Sequence, residues 1–420
     1  MFAAGLAFVL LALQEGREDF YSELRAPAEE LQTGPWRAWL ESPGGELPFG
    51  LEIARTAGTL SATIVNGEER IAIPSTTVEA RDIVLDMPHY DSAIRARISP
   101  LGVSLKGEWR KRSGVDRWTV MPFRAEAGEA PRFRPLPPSS PQLVWKADSF
   151  RGRFAVKFER TDDPAVAILR PGESGSVEGT FLTSTGDFRW LAGSIEGTRM
   201  RLSCFDGAHA FLLDASQSGA DGIAGDFWSG DRWHEKWNAT RDPSAKVPDE
   251  FEQAHWKAGF ALADLRYPDL DGKLRSLAEP EFAGRAIVIQ VLGSWCPNCH
   301  DETAFLARVY DRYRERGLSV VGLAFEHTGD FERDAEQVKR LRGRYLVKYP
   351  ILLAGLSDKQ KAAEAIPALD RVLAFPTTIF LHGDGRVRAV HSGFAGPATK
   401  EEHEELARRF EALIVELLAE

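Results

Sequence analysis

Two of the chain's three cysteines, Cys296 and Cys299, are separated only by Pro297 and Asn298. Side chains three residues apart at the start of a helix lie close enough to form a disulfide. The helix dipole and the unpaired N–H groups of the first turn favour a thiolate at that position. The spacing therefore predicts dithiol–disulfide exchange, with Cys296 as the nucleophile and the more shielded Cys299 as the residue that resolves the mixed disulfide.

The residues around this pair can also be compared with the requirements of three other roles: covalent haem attachment, zinc binding and a structural disulfide. With His300, the pair matches the C-x-x-C-H pattern of covalent haem attachment, but all four methionines that could complete such a site lie outside residues 255–420. Zinc needs four ligands, and the chain has no second C-x-x-C pair. A structural disulfide would close too short a loop to remove much entropy from the unfolded chain. We therefore expect no metal and no cofactor.

The elements around the pair alternate apolar strands with amphipathic helices. This rhythm predicts an α/β domain with a mostly parallel sheet and an antiparallel edge pair. The predicted strands cover 286–292, 318–325, 349–353, 377–381 and 386–391, and the predicted helices cover 299–316, 330–342 and 400–418.

Residues 20–245 have a different pattern, with short alternating strands punctuated by Gly, Asp, Asn and Pro. This pattern predicts an all-β barrel or sandwich. It also contains an internal repeat, in which residues 58–63 resemble 175–180, residues 107–109 resemble 225–227, and Trp118 matches Trp237. We expect two similar β modules, which could complete one another's sheet.

These patterns divide the chain into six segments. We expect a signal peptide over 1–17, β module 1 over 18–130, a proline-rich linker over 131–141, β module 2 over 142–243, a second linker over 244–254 and the α/β domain over 255–420. The apolar run 2–13 is too short to span a bilayer and suits export, although no Lys or Arg precedes it; a buried N-terminal segment is the alternative. The net charge of −10, with no long run of one sign, argues against a nucleic-acid partner.

Residues 287–299, followed by Phe375-Pro376-Thr377, resemble the active-site strand, helix and cis-proline loop of TlpA-like thiol-disulfide oxidoreductases. This family belongs to the thioredoxin superfamily and is related to the AhpC/TSA proteins. The resemblance covers about residues 255–420 and implies a thioredoxin fold. It implies that Pro376 is cis and holds a substrate chain beside Cys296, together with Phe375 and Thr377, and that Trp295 covers the disulfide. More weakly, residues 205–211 and 225–230 are similar to the N-terminal extension of some exported members.

The resemblance also bears on proton transfer. Many thioredoxins have a buried acid six residues before the first cysteine, where this chain has Gln290, which cannot accept a proton. Glu326 falls where related cytochrome-maturation reductases carry an acid, and it is the candidate proton acceptor for Cys299; a surface glutamate is the alternative. His300 is expected to be a solvated helix residue.

The expected partners are disulfide-bearing exported proteins and an unidentified electron donor, with a membrane thiol reductase as one candidate. The expected location is the periplasm or cell envelope. One alternative is a peroxiredoxin-like thiol peroxidase, although Gly293 stands where that family's pattern has threonine. The other is a non-enzymatic β binding module with a redox-inactive appendage.

Two features remain outside this scheme. Cys204 stands alone among apolar residues and is expected to be a small buried hydrophobe, with docking to Cys296 as the alternative. A cluster in the second β module is a candidate ligand surface, and the matched Trp118 and Trp237 are expected in the core. This cluster comprises Trp228, Asp231, Trp233, His234, Glu235 and Trp237.

Overall fold

The computed structural model describes residues 31–135, 147–257, 259–282 and 285–420. The segment expected to be a signal peptide, and residues 136–141 of the proline-rich linker, lie outside the described residues. Among the described helices, none is both long and apolar enough to cross a membrane.

The first β sheet is built from nine antiparallel strands. They are β1 (Gly34–Ser42), β2 (Gly45–Thr56), β3 (Thr59–Asn66), β4 (Glu69–Ile73), β5 (Ser75–Glu79), β6 (Asp82–Met87), β7 (Ser92–Ile98), β8 (Ser104–Arg112) and β9 (Trp118–Ala127). Their order is β4-β3-β2-β1-β9-β8-β7-β6-β5, so that chain neighbours pair and β1 joins β9. The two end strands are separated in the chain only by Pro74, which has no N–H to donate to a ladder.

The second β sheet also has nine antiparallel strands. They are β10 (Gly152–Phe158), β11 (Ala165–Pro171), β12 (Ser176–Thr183), β13 (Gly186–Asp187), β14 (Leu191–Glu196), β15 (Arg199–Phe205), β16 (Ala210–Ser218), β17 (Gly222–Ser229) and β18 (Trp233–Arg241). Their order is β11-β10-β18-β17-β16-β15-β14-β12-β13, and an additional β11–β12 ladder closes the sheet into a barrel. The all-β prediction for this region is therefore confirmed.

The two sheets have similar strand orders, which differ in that β12 of the second sheet pairs with β14 as well as with β13, and neither sheet completes the other. Every ladder of each sheet lies within one segment of the chain, so the expectation of a shared sheet is wrong for the described strands. The two sheets nevertheless pack together, because Phe205 of the second lies 4.5 Å, centroid to centroid, from Phe49 in the core of the first. Arg132, from the described start of the linker, donates hydrogen bonds to Ser203 Oγ (2.9 Å) and Asn66 Oδ1 (2.8 Å), so this part of the linker is docked between the sheets.

The match of Trp118 with Trp237 is corrected by the strand registers. Gly107 pairs with Phe123 in the first sheet, whereas Gly225 pairs with Trp237 in the second. A Cβ at either glycine would meet a neighbouring carbonyl oxygen, at 1.9 Å for Gly107 and 2.2 Å for Gly225, so the two glycines occupy equivalent close approaches. Trp237 is buried and corresponds to Phe123, while Trp118 is only half-buried. The duplication itself stays a prediction.

The C-terminal domain has the α/β fold that the sequence predicts. Its strands are β19 (Arg266–Pro268), β20 (Leu274–Ser276), β21 (Ala286–Leu292), β22 (Leu318–Glu326), β23 (Ile351–Leu356), β24 (Thr377–Leu381) and β25 (Val387–Ser392), and its helices are α1 (Pro297–Tyr313), α2 (Phe331–Arg344), α3 (Lys359–Ala365) and α4 (Glu401–Ala419). The main sheet has the order β23-β22-β21-β24-β25, with β21, β22 and β23 parallel and the last two strands antiparallel. The short α3 and the β19–β20 hairpin were not predicted.

Candidate active site

The C-x-x-C pair lies between the central strand β21 and the helix α1. Cys296 is the N-cap of α1, and its sulfur accepts a hydrogen bond from the Cys299 backbone N–H at 3.3 Å. Pro297 occupies the first helical position, where no N–H is needed. The Cys296 sulfur also lies 3.2 Å from the carbonyl oxygen of Phe375, to which only the protonated thiol can donate. Both cysteines are free thiols in this structure.

Cys299 is the less accessible of the two, with no exposed surface. Burial, the hydrogen bond with Cys296 and the negative charge of that neighbour raise the pKa of Cys299 well above its ordinary value. A group that must lose its proton from such a site needs a nearby base.

Glu326 ends β22 and is buried beside the loop that precedes Cys296. The Ser294 backbone N–H donates to Glu326 Oε1 at 2.8 Å, and Ser294 Oγ donates to Oε2 at 2.6 Å. Burial raises the pKa of Glu326 to about 8, against the lowering effect of these two hydrogen bonds. The surface alternative for Glu326 is thereby wrong, but its described hydrogen bonds go to Ser294 and not to either sulfur. Its role as the proton acceptor stays a prediction.

The sequence reasoning missed Glu302, a second buried carboxyl group. It lies three residues after Cys299 on α1, has no exposed surface, and accepts a hydrogen bond from the Thr378 hydroxyl. Burial raises the pKa of Glu302 to about 7, and its Oε2 has no hydrogen-bond partner among the described residues. The sequence did carry a signal, because Glu302 falls on the same apolar stripe of α1 as Phe305 and Val309.

Gln290 occupies the middle of β21, below the two cysteines. Its amide nitrogen donates to Thr303 Oγ1 at 3.1 Å and to the carbonyl oxygen of Cys299 at 3.4 Å. The Tyr349 hydroxyl lies 3.5 Å from its amide oxygen. Gln290 therefore holds the first turn of α1 against the sheet without taking part in proton transfer.

The loop that faces Cys296 contains the cis peptide bond Phe375–Pro376. Thr377 is fully buried, and its hydroxyl donates to the carbonyl oxygen of Ala374 at 2.8 Å. Trp295 is half-buried: its indole N–H donates to the Phe325 carbonyl oxygen at 2.9 Å. The functions assigned to Trp295, Phe375, Pro376 and Thr377 by resemblance stay predictions.

His300 is not the solvated residue that the sequence analysis expected. It is buried, its Nε2 lies 2.7 Å from the Ser294 carbonyl oxygen, and its Nδ1 lies 3.0 Å from the Tyr345 hydroxyl. The consistent arrangement is a neutral ring that donates from Nε2 to Ser294 and accepts at Nδ1 from Tyr345. Burial lowers the pKa of His300 to about 3, in agreement with the neutral form.

The remaining candidates lie away from this site. Cys204 is completely buried in the core of the second barrel, as expected for a small hydrophobe, and burial raises its pKa well above the ordinary value. The tryptophan cluster is split by strand alternation, because Trp228 pairs with His234 while Trp233 pairs with Ser229, on the opposite face. The expectation of one ligand surface there is wrong. No group of three or more His, Cys, Asp or Glu side chains in the described residues is arranged to hold a metal ion.

Part of the chain is similar to known proteins. The family model described as Redoxin matches residues 257–406. The chain is 27% identical over 141 residues to the thiol-disulfide oxidoreductase ResA of Bacillus thuringiensis subsp. konkukian, covering 34% of this chain and 71% of the relative. It is 26% identical over 152 residues to ResA of Halalkalibacterium halodurans, covering 36% and 78%. A solved structure, a thioredoxin-family thiol:disulfide interchange protein from Chlorobium tepidum TLS, is 19% identical, covers 41% of this chain and 99% of its own, and has a TM-score of 0.28.

Proposed function

We propose that the C-terminal domain is a thiol-disulfide oxidoreductase of the thioredoxin superfamily and that it reduces disulfides of exported proteins through Cys296 and Cys299; its similarity to Redoxin and to ResA supports this proposal. The observation that carries this proposal is the cysteine pair at the start of α1, where the Cys299 N–H group points at the Cys296 sulfur. The Cys296 sulfur thus lies at the end of the helix that a partner can approach, and the thiolate is the species that attacks a disulfide.

The proposed reaction moves two electrons to the substrate. The Cys296 thiolate attacks one sulfur of the substrate disulfide, so that an S–S bond breaks, a mixed disulfide forms and one substrate thiol leaves. Cys299 then loses its proton and attacks the Cys296 sulfur. The second substrate thiol leaves, and the Cys296–Cys299 disulfide remains until an electron donor reduces it.

Proton removal from Cys299 is the step that the buried carboxyl groups serve. Glu302 lies one helical turn from Cys299, and its negative charge is among the influences that raise the pKa of that cysteine. Its own pKa of about 7 suits proton acceptance near neutral pH. Glu326 is the second candidate, since it is also buried near the site with a raised pKa.

The location and partners are proposed on the sequence. The apolar run 2–13 supports export, and export would place the dithiol where disulfide-bearing proteins occur. The electron donor would then also be extracytoplasmic, and a membrane thiol reductase is one such donor.

The stoichiometry of a reaction with a small aromatic disulfide tests the proposal. When the fully reduced protein is mixed with excess dithiobis(nitrobenzoate), wild type should release two thiolates per chain, because Cys299 displaces the second one. Cys299→Ser should release one and retain a mixed disulfide, and Cys296→Ser should release none quickly. Cys204→Ser is the matched control and should behave as wild type, since Cys204 is buried far inside the barrel.

The same assay separates the two carboxyl groups. Loss of a general base slows the step that it serves by about 10²–10⁴-fold. Glu302→Gln should therefore slow the second release and leave the first nearly unchanged, while Glu326→Gln should affect the second release less. One thiolate per chain from wild type, with no intramolecular disulfide, would refute the exchange mechanism.

A further inference from the structure

The surface around the cysteine pair is covered by the β region of the same chain. Pro297, Asn298 and His300 are all buried, although they lie at the start of a helix whose N-cap residue, Cys296, must meet a partner's sulfur. Whatever covers this surface therefore controls which disulfides can reach Cys296.

The first covering contact comes from the end of β13. Asp187 Oδ1 accepts a hydrogen bond from Asn298 Nδ2 at 2.9 Å, across the interface between the second barrel and α1. The backbone N–H of Gly396, in the loop before α4, is among the groups that lower the pKa of Asp187 against the effect of burial. The Asp187 carboxylate thus lies between the dipeptide that separates the cysteines and a neighbouring loop of the C-terminal domain.

The second contact is an ion pair between Arg189 of the barrel and Asp301 of α1. Arg189 is buried and is also an ion-pair partner of Asp206, at 3.4 Å, and Glu69, at 3.6 Å. We use the term latch for Asp187 and Arg189 together with their partners Asn298 and Asp301.

The latch is electrostatically unbalanced. The guanidinium of Arg189 interacts with four carboxyl groups, those of Glu69, Asp187, Asp206 and Asp301. Burial raises the pKa of Glu69 to about 7 and also raises the pKa of Asp187, whose Oδ2 lacks a hydrogen-bond partner among the described residues. His209 is a further partner of Asp206, at 3.1 Å. The burial of several carboxyl groups around one guanidinium offsets part of the attraction between Arg189 and Asp301.

The first sheet also covers the start of α1, through the turn between β6 and β7. The ring of Tyr90 lies 4.7 Å, centroid to centroid, from that of His300. The adjacent Asp91 forms an ion pair with Arg333 of α2. These contacts, like the latch, are largely polar.

The attachment near the second linker combines apolar and polar contacts. Val166 and Leu182 of the barrel and Ala245 of the linker are buried within the hydrophobic core of the C-terminal domain, and Arg153 of the barrel forms an ion pair with Glu402 of α4. Leu182 is the cross-strand partner of the latch residue Asp187, so the β12–β13 hairpin links this attachment to the latch. The covalent connection beside this attachment keeps the β region joined to the C-terminal domain when the contacts over the cysteines separate.

From the contacts over the cysteine pair and the covalent connection at the linker we infer that the β region is a hinged cover that sets substrate specificity. The cover is closed in this structure, it opens by release of the latch, and disulfides within folded polypeptides reach Cys296 only when it is open. The inference rests on the proposed function, because a cover selects substrates only if the dithiol reacts with other molecules.

The substitution Gly396→Ala is designed to displace the side chains of the latch. The backbone of Gly396, with φ −75° and ψ 175°, suits any residue before a proline. An added Cβ would lie 2.7 Å from Asp301 Oδ2, 3.0 Å from Asp187 Oδ1 and 3.2 Å from a terminal nitrogen of Arg189. All three are ends of latch side chains, so the methyl group displaces the latch without moving the backbone. Gly343→Ala is the matched control, since a Cβ there meets nothing within 4 Å.

The test compares the labelling rates of Cys296 by N-ethylmaleimide and by a maleimide with a long polyethylene glycol chain, on the reduced full-length protein. Cys204 and Cys299 have no exposed surface, and mass spectrometry locates the label. We expect the large reagent to be much slower than the small one in wild type. The measured quantity is the rate of labelling by N-ethylmaleimide divided by the rate of labelling by the large maleimide. Gly396→Ala should reduce this ratio by about tenfold, as a loss of about 1.4 kcal/mol from the closed state would produce. Gly343→Ala should leave the ratio unchanged.

Equal labelling rates for the two reagents in wild type would refute the proposed cover. Equal ratios of the two labelling rates in Gly396→Ala and Gly343→Ala would refute it as well. Asp91→Asn supplies an independent variant should Gly396→Ala not fold, because Asp91 has φ 51°, which asparagine tolerates, and the change releases Arg333. It should narrow the ratio in the same direction, and an unchanged ratio would count against the cover. Labelling by a maleimide requires no disulfide exchange. A variant that the large maleimide labels faster but that exchanges no disulfide would therefore contradict the proposed function and still support the cover.

Discussion

The raised pKa of Glu302 makes a quantitative prediction about stability. Burial raises its pKa from 4.5 to about 7, although the hydrogen bond from the Thr378 hydroxyl lowers it. At 1.36 kcal/mol per pH unit, this displacement corresponds to about 3 kcal/mol. The folded state binds the proton more tightly than the unfolded state. The protonated carboxyl is therefore tolerated below pH 4.5, and stability is lost as the pH rises from 4.5 through about 7.

Glu302→Gln removes this titration while keeping the shape of the protonated side chain. The difference in unfolding free energy, variant minus wild type, should increase by about 3 kcal/mol between pH 4.5 and pH 8. All four described α-helices lie in the C-terminal domain, so the helical circular-dichroism band reports the urea unfolding of that domain. Glu315→Gln, at a side chain that is 85% exposed, is the matched control and should give a difference that is flat with pH.

If the difference in unfolding free energy between Glu302→Gln and wild type did not change with pH, the raised pKa of Glu302 would be refuted. It would mean that the carboxyl group is solvated in the folded state and titrates as an ordinary glutamate. Its claim to accept the Cys299 proton near neutral pH would then fail as well, because that claim depends on the same raised pKa.

Three further predictions concern the β region. Trp237→Ala should destabilise the second barrel by about 3–5 kcal/mol, whereas Trp118→Ala, at a half-buried position, should cost much less, as thermal unfolding of each variant would show. Native iodoacetamide should label Cys296 and leave Cys204 unlabelled on the same timescale, and comparable labelling by mass spectrometry would contradict the burial of Cys204. Arg132→Met should lower the urea midpoint, because it leaves Ser203 and Asn66 without this donor and reduces the free energy of unfolding by about 1–3 kcal/mol. An unchanged midpoint would contradict the bridging role of Arg132.

The C-terminal fold was largely predictable because its signals are local. The strands Ala286–Leu292 and Thr377–Leu381 match the predicted ranges, since every residue in both is buried and the apolar run marks its own ends. The seven-residue helix Lys359–Ala365 gave no such signal, because only Ala362 among its residues is fully buried. Short elements with one inward side chain do not produce a readable period.

The β region shows where sequence reasoning stops. Alternation predicts strands, but closure of the second barrel depends on the β11–β12 ladder, which local patterns do not specify. The same limit explains the incorrect match of Trp118 with Trp237. Sequence similarity aligned two tryptophans, whereas the strand registers place them at non-equivalent positions of the two sheets. Glu302 was missed for another reason: its place on the apolar stripe of α1 is readable from the sequence, but the complete burial of its carboxyl group depends on packing against Thr378, which local patterns do not specify.

Asn298 and Asp301 connect the cover to the redox chemistry. Residues between and just after the two cysteines surround the sulfurs, and here they are also the residues that Asp187 and Arg189 bind. If the closed cover binds the dithiol and disulfide forms unequally, linkage requires the cover to shift the dithiol–disulfide equilibrium by the same factor. A tenfold preference corresponds to about 30 mV for this two-electron couple. The β region would thus act on substrate access and on reducing power through the same few contacts, which neither the C-x-x-C spacing nor the dipeptide between the cysteines reveals.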